Sequence, residues 1–321
     1  MFSRPNITLI GAGQLGSRYL QGLAGIKRHL SITVVDPSDK SLGIAIERLA
    51  EVGPSPHSFQ FLNSISESKD PVDLCIVTTP AHCRADVVAT ITSQYEVNAW
   101  ILEKVLGQST QHVNQIVRLL KSNLSVWINT PMRIMAWHNE IKKQMSSICG
   151  TLSPLQVRVS GGNWGLACNA IHYIDLVSWW SGARVEAVNA QGLENWRASK
   201  RMGYQEVFGT LIVTFHDATV LELTCSQVDA PPRIEVETTH GLWTIDEEAG
   251  VANGPSGQQI YGQPSFQSIL TAPLVEQILD TGQSKLPSLA ESAAQHRPFL
   301  DALLQHWNQS HARQDLAVPI T

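Results

Sequence analysis

Three glycines, two acids, a lysine and a histidine are the residues whose types and spacing point to chemistry in this chain. Gly11, Gly13 and Gly16 stand in the spacing G-x-G-x-x-G, directly after an apolar, β-branched run from Ile7 to Ile10. Leu15, Tyr19 and Leu23 follow four residues apart, the pattern of a helix face. A strand, a glycine turn and a helix in that order form a dinucleotide cradle. Gly11 permits the tight turn, Gly13 keeps a Cβ away from a pyrophosphate, and Gly16 lets the helix lie close to the strand. The pyrophosphate would meet the first turn, at Gln14 and Leu15, where free amides and the positive end of the dipole face it. Asp36 closes a second strand-like run, Ser31–Asp36, 25 residues after Gly11. A carboxylate there binds the adenosine ribose hydroxyls and repels a 2′-phosphate, which favours NAD over NADP. A solvated turn acid before Pro37 is the plain alternative.

The apolar run 71–80 stops at Thr78-Thr79-Pro80, where Thr79 is suited to cap a helix and Pro80 to open it. His82 then falls in that helix's first turn, and packing and cofactor contact both stay open for it. The next strand, 98–106, ends near Glu103 and Lys104. Ligands of open α/β sheets bind beyond the carboxyl ends of the strands. A lysine in that place holds a substrate oxygen and moves a proton. Further on, Cys168 and His172 share one face of a helix expected over 168–180, with Asn169 beside them. The loop 161–165 leads into that helix. Its Asn163 and Trp164 either line a sugar pocket, amide to hydroxyls and ring to a C–H face, or form a plain turn with one core tryptophan. Asp175 reads as a helix-surface or capping partner rather than a catalyst. A Cys–His nucleophilic pair lacks a third orienting group, and zinc needs more ligands than these two, so no metal is expected.

The elements that must position these residues follow from periodicity. In the first half, strands at 7–10, 31–36, 59–62, 71–80, 98–106 and 124–131 alternate with helices such as 39–51 and 109–121. That is a doubly wound parallel sheet, a Rossmann unit. After Pro131 the texture changes to α+β. A helix over 133–145 and a strand over 155–160 precede the histidine helix, which Ser181-Gly182 close. Alternating segments at 185–191, 208–215, 219–226, 233–238 and 241–245 read as a mostly antiparallel sheet with one buried face. A loop over 255–264 leads to a helix over 266–280. A closing helix over 288–309 starts from the capping box Ser288–Glu291 and carries Pro298, which should kink it. The expected domains are thus 1–130, binding the nucleotide, and 131–321, for substrate and oligomerisation, with the closing helix packing back towards the first.

Composition narrows the function classes. At 321 residues two domains are the natural count. A balance of 28 acids against 23 bases, net −5, argues against a nucleic-acid partner. The one basic cluster, Arg197 to Arg201, reads as a solvated loop. Cys75, Cys83, Cys149, Cys168 and Cys225 form an odd, scattered set without C-x-x-C, which suits a reducing cytoplasm. The opening apolar run is too short for a signal peptide, and no stretch is long enough to span a membrane.

Together these residues resemble the glucose–fructose oxidoreductase / inositol dehydrogenase / MocA (Gfo/Idh/MocA) family over essentially the whole chain. Its glycine motif is matched by Gly11, Gly13 and Gly16, its strand-ending A-T-P…H by Thr78, Thr79, Pro80 and His82, and its E-K-P by Glu103-Lys104-Val105. Its asparagine and arginine after the sixth strand are matched by Asn129 and Arg133, and its D-x-x-x-H by Cys168 to His172. The resemblance implies a Rossmann domain, an open sheet that builds a homodimer or homotetramer, and hydride transfer between NAD and a sugar or cyclitol carbon. It implies a cofactor set of Gly11, Gly13, Gln14, Leu15, Gly16, Asp36, Thr78, Thr79, Pro80, His82, Glu103 and Lys104. Asn129, Arg133, Asn163, Trp164, Cys168 and Asn169 would meet the substrate, with Lys104 and His172 as catalysts. Val105 departs from the family's proline and loosens the turn holding Lys104. Cys168 departs from its aspartate, and a thiol cannot accept a proton as a carboxylate does. The stretch from Gly162 to His172 resembles a subgroup acting on bacterial surface-polysaccharide or nonulosonic-acid sugars. The lost aspartate keeps a second expectation alive, an NAD-binding regulatory or sensor protein without turnover; NAD-dependent glycoside cleavage is a third.

Overall fold

A computed structural model of the chain describes residues 4–65, 71–122 and 125–321, so Leu124 of the expected sixth strand lies outside them. Strands β1 (Asn6–Ile10), β2 (Ser31–Val35), β3 (Ser58–Leu62), β4 (Leu74–Val77), β5 (Trp100–Glu103) and β6 (Val126–Asn129) form one parallel sheet in the order β3-β2-β1-β4-β5-β6. The sequence explains the layer. Leu74 to Val77 and Trp100 to Leu102 are buried almost completely, as strands covered on both faces must be. Helices α1 (Gln14–Ala24), α2 (Asp39–Ala50), α3 (Arg84–Gln94) and α4 (Thr110–Leu120) supply the crossovers. Strand order reverses between β1 and β4, and a reversal of this kind opens the crevice in which α/β sheets bind ligands.

After β6 come a 3₁₀ turn (Pro131–Ile134), α5 (Ala136–Cys149), β7 (Gln156–Gly162) and α6 (Leu166–Ser181). Strands β8 (Val185–Ala198), β9 (Gln205–Phe215), β10 (Val220–Ser226), β11 (Ala230–Thr238), β12 (Gly241–Asp246), β13 (Val251–Asn253) and β14 (Gln259–Tyr261) follow. With β7 they make a second sheet, ordered β14-β13-β12-β11-β7-β10-β9-β8, antiparallel except where β7 runs parallel to β10. Burial alternates along it: Leu211, Val213, Leu221, Leu223, Val157, Val159, Ile234 and Val236 point into the core. The other face holds the row Ile212–Glu222–Arg158–Glu235 across four strands. The chain closes with α7 (Gln267–Thr281) and α8 (Leu289–His311). No described helix is long and apolar enough to cross a membrane.

The chain divides into two compact units. One takes the chain up to Leu106, Asn114–Asn129 and Ser265–Leu289; the other takes Gly107–Val113, Thr130–Pro264 and Ala290–Thr321. This differs from the single cut expected between residues 130 and 131. Helix α7 belongs with the first unit because it lies on α1: a Cβ on Gly22 would sit 2.5 Å from the Cβ of Thr271 and 2.7 Å from the carbonyl of Ser268. The next segment runs along β6, where Ile128 donates its amide to the Pro287 carbonyl (3.0 Å). From Ala290 onward α8 belongs to the second unit. It holds residues 107–113 there, through the Thr110 hydroxyl donating to Asp301 Oδ1 (2.7 Å).

Several local expectations change. Helix α3 begins at Arg84 with Cys83 at its cap, so Thr79 caps nothing and His82 sits exposed in the turn before the helix. Strand β8 runs on to Ala198, because Leu193 and Trp196 turn inward and the Trp196 indole donates to His306 Nδ1 (3.0 Å). Arg197 is therefore a strand residue over the Phe208 ring, not part of a loop. The expected 255–264 loop contains β14. Pro298 lies inside α8 and Pro273 inside α7, and neither ends its helix. Gly182 closes α6 at φ +77°, as its sequence position suggests.

The α1–α7 contact is tested by Gly22→Ala. Overpacking there should lower the stability of the first unit by about 1–3 kcal/mol, read as a lower urea midpoint. An unchanged midpoint would mean that α7 does not rest on α1.

Candidate active site

In the first unit the glycine turn is built as its sequence demands. Gly11 has φ +96°, open to glycine at little cost, and its amide donates to the Val35 carbonyl (2.8 Å). A Cβ on Gly16 would stand 1.9 Å from the Gly11 carbonyl, so only glycine lets α1 approach β1 this closely. A Cβ on Gly13 would meet nothing within 4 Å, which leaves room above the turn. Gly13 is the N-cap of α1, and no side chain caps the helix. Its first-turn amides, at Gln14 and Leu15, are thus presented as an anion site requires. The Gln14 side chain is held from α2, where Arg48 Nη2 donates to its Oε1 (2.6 Å).

Asp36 is more than a turn acid. Its Oδ2 accepts from the Ala12 amide (2.7 Å) and its Oδ1 from the Ser38 amide (2.9 Å), which ties the end of β2 to the glycine turn. A carboxylate has about four acceptor sites, so lone pairs remain for a ribose hydroxyl. Thr78 anchors the turn from β4, its hydroxyl lying 2.9 Å from the Gly11 carbonyl and 3.1 Å from that of Ile10. Thr79 and Pro80 continue from it towards the surface. The Thr79 carbonyl accepts from the guanidinium of buried Arg84, which also holds the Val105 carbonyl. Arg84 therefore pins the backbone on the far side of Lys104, where a loosened turn was expected, and the Lys104–Val105 peptide bond is cis.

Glu103 lies below that backbone, 3% exposed. Its Oε1 accepts from the Tyr19 hydroxyl (2.6 Å) and from Asn129 Nδ2 (2.6 Å). The Asn129 amide also donates to Gln267 Oε1 (2.8 Å) at the start of α7. Burial pushes the Glu103 carboxyl above its ordinary range, opposed by those two hydrogen bonds and by the Arg84 and Lys104 charges. Burial, reinforced by Glu103, likewise raises the Tyr19 phenol. Nothing in the spacing of Tyr19, Arg84 or Gln267 marks them as site residues. In the sequence Tyr19 is one position of a helical stripe.

In the second unit, α6 carries Cys168 and His172, both half-buried and one turn apart. Its N-cap, Gly165, has φ +77° and no side-chain cap of its own; Glu206 on β9 substitutes, accepting from the Ala167 amide (3.0 Å). Asn169 donates back to the Trp164 carbonyl (2.7 Å). Asn163 has φ +52° and spends its amide on the Gln227 carbonyl (2.9 Å) and Asp229 Oδ1 (2.6 Å). The Trp164 indole donates to the Thr224 carbonyl (3.0 Å), and its ring meets Tyr173 edge-on at 5.6 Å. Asn163 and Trp164 thus build the loop itself.

Asp175 corrects its sequence reading: it is fully buried, not on the helix surface. It forms a fork with the Arg133 guanidinium, with Arg133 Nε to Oδ2 at 2.9 Å. Thr130 Oγ1 donates to Oδ2 (2.8 Å) and Gln295 Nε2 to Oδ1 (3.2 Å). Burial raises the Asp175 carboxyl, and Arg133 opposes it. Arg133, expected near substrate, is committed to this pair and lies 3.7 Å from Glu291. Among the described residues no cluster of three or more His, Cys, Asp or Glu side chains is placed to hold a metal.

Asp175→Ala would leave Arg133 buried without its partner and should cost about 3–5 kcal/mol, read by denaturant unfolding. Thr130→Val, which removes one neutral donor, should cost about 1 kcal/mol in the same measurement. Equal small losses would deny the ion pair its structural role.

No family model matches the chain, and no curated protein matches it. Solved structures do. An oxidoreductase from Agrobacterium radiobacter, in complex with NAD+, L-tartaric acid and magnesium, is similar with a TM-score of 0.73 at 14% identity, over 97% of each chain. Myo-inositol 2-dehydrogenase from Lactobacillus plantarum is similar with a TM-score of 0.69 at 14% identity, over 97% of this chain and 98% of that one. GenD2 from gentamicin A biosynthesis, in complex with NAD, is similar with a TM-score of 0.67 at 18% identity, over 94% of this chain and 93% of that one. The six-stranded parallel sheet followed by the eight-stranded, mostly antiparallel one is the fold of the Gfo/Idh/MocA oxidoreductases.

Proposed function

We propose that the chain is an NAD-dependent oxidoreductase that moves hydride between nicotinamide and a carbon of a sugar or sugar derivative. The observation that carries this reading is the glycine turn. Its helix is uncapped, Gly13 leaves space above it, and an acid ends the neighbouring strand. These residues fit a dinucleotide: amides of the first turn of α1 for the diphosphate, Asp36 for the ribose, and Thr78, Thr79, Pro80 and His82 along its flank. When bound, NAD supplies the hydride chemistry. Lys104 then holds the reacting oxygen and gives or takes its proton, and His172 is assigned a proton-handling role. Cys168 contributes shape where a carboxylate is absent, and Asn169 steadies the loop before it. Asn129 and Arg133 serve through Glu103 and Asp175 rather than by touching substrate.

The substrate class is a polyhydroxylated ring, in keeping with the inositol dehydrogenases among the similar structures. Within that class the substrate is a bacterial surface-polysaccharide or nonulosonic-acid sugar. The open face of the second sheet, with Ile212 among Arg158, Glu222 and Glu235, is read as the surface of a homodimer or homotetramer. Sedimentation of the purified chain tests that directly, and a monomer at all concentrations would refute it.

Turnover is tested by following reduced nicotinamide across a panel of sugars, cyclitols, nucleotide sugars and sialic-acid-like compounds. Lys104→Ala should lower kcat by about 10²–10⁴-fold while NAD still binds. Tight NAD binding with no turnover on any compound would replace the enzyme with a sensor. Asp36→Ala should narrow the preference for NAD over NADP by about tenfold, in binding measured by calorimetry, because one like-charge contact with the 2′-phosphate is gone. An unchanged preference would remove Asp36 from the ribose site.

A further inference from the structure

Arg48, which belongs to no motif, stands half-buried in the last turn of α2 and spends its guanidinium on the first turn of α1. Its Nη1 donates to the Gln14 carbonyl (3.2 Å) and to the Ser17 hydroxyl, and its Nη2 donates to Gln14 Oε1 (2.6 Å). A guanidinium has donors only, so the Gln14 atom it holds is the amide oxygen, and that amide cannot turn over without losing the bond. Buried Ser17 passes the grip to the turn, its hydroxyl lying 2.9 Å from the Gly13 carbonyl and 3.1 Å from that of Gln14. Further along α1, Gln21 Nε2 donates back to the Arg48 carbonyl (3.2 Å) and to Glu51 Oε2 (3.1 Å). Glu51 is thus bonded to Gln21, and among the described residues no carboxylate lies within ion-pair distance of Arg48. The last turn of α2 favours a cation, but the start of α1 does not: there the charge adds to the positive end of the dipole and is costly until an anion lies beside it.

We propose that Arg48 is a positioning residue for the diphosphate of the cofactor. From α2 it fixes the backbone of the first turn of α1 and the orientation of the Gln14 amide, and it adds its charge to the field that an anion meets at that turn. It acts through Gln14 and Ser17, so its effect belongs to the phosphates of the ligand and not to the nucleoside. This inference rests on the reading of the glycine turn as a dinucleotide cradle, and its readout is binding, not turnover.

The test is calorimetry of the whole chain with NAD and with ADP-ribose, beside NMR titration with adenosine, which carries no phosphate. Arg48→Met keeps an unbranched apolar stem and removes the donors and the charge. It should weaken NAD and ADP-ribose about tenfold and adenosine by less than about twofold. Gln14→Ala should weaken NAD by a smaller factor. Because the two side chains act together, Arg48→Met combined with Gln14→Ala should lose less than the product of the two single losses. Unchanged NAD affinity in Arg48→Met overturns the proposal. So does an equal loss for adenosine, which would make Arg48 a packing residue between two helices, and so does a multiplicative loss in the double variant. Should Arg48→Met fail to fold by circular dichroism, Arg48→Lys decides, since lysine keeps the charge but not the fork. A loss confined to NAD and ADP-ribose is expected there, and no loss overturns the proposal. A wild-type chain that binds neither NAD nor ADP-ribose refutes the cradle and this role with it; binding that is indifferent to residue 48 refutes this role alone.

Discussion

The first unit depends on how near α1 is allowed to come to β1. With 1.9 Å between a would-be Cβ of Gly16 and the Gly11 carbonyl, the helix is in backbone contact with the turn, and no other residue type could stand there. The turn itself is bound on two sides. The Val35 carbonyl and the Asp36 carboxylate hold it from β2, and the Thr78 hydroxyl holds it from β4. Because the helix lies this close, Tyr19 is brought over the end of β5, where its hydroxyl reaches Glu103. From there the bonds continue to β6 through Asn129 and to α7 through Gln267. One steric allowance thus sets the position of four strand ends.

The second unit has a counterpart in Asp175. A single carboxylate gathers Thr130, just past the end of β6, Arg133 from the 3₁₀ turn, and Gln295 from α8. It sits three residues beyond His172 on α6, so the rotation of that helix is fixed by an ion pair shielded from water. Burial opposes the charge and the three donors offset that cost, as a buried ion needs if it is to remain one. Tyr173, next to His172, is likewise held: its phenol is raised by burial and by Glu247, to which it donates at 3.5 Å.

Much of the fold was legible because periodicity and punctuation agreed. Strands β4 to β6 announce themselves by apolar runs, β1 to β3 by apolar residues alternating with Thr8, Thr33 and Gln60, and the second sheet by strict alternation at Leu211/Val213 and Leu221/Leu223. The glycine turn was legible from its spacing, and so was the place of Asp36 at the end of the second strand. What escaped was long-range. The extension of β8 through Trp196 draws on His306, 110 positions later, which accepts the indole proton. Asp175 looked like a surface acid because its partners lie 42 and 120 residues away along the chain. The burial of Glu103 was hidden in the same way: Tyr19, its donor, is 84 residues earlier and reads as one more apolar stripe position. Arg84, as an arginine opening a helix, carries no local sign that it will be buried beneath two carbonyls.

The chain passes between its two units five times, at residues 106/107, 113/114, 129/130, 264/265 and 289/290. During synthesis the parallel sheet is therefore complete in its strands long before it is complete as a body. The face of α1 around Gly22 stays open to water until α7 leaves the ribosome. Some 135 residues of a different core must be made in between (130–264). A nascent chain in that interval carries an unfinished apolar surface, so the time spent translating the second sheet is a window of exposure to chaperones and to misassembly that a protein cut once, between whole domains, would not have.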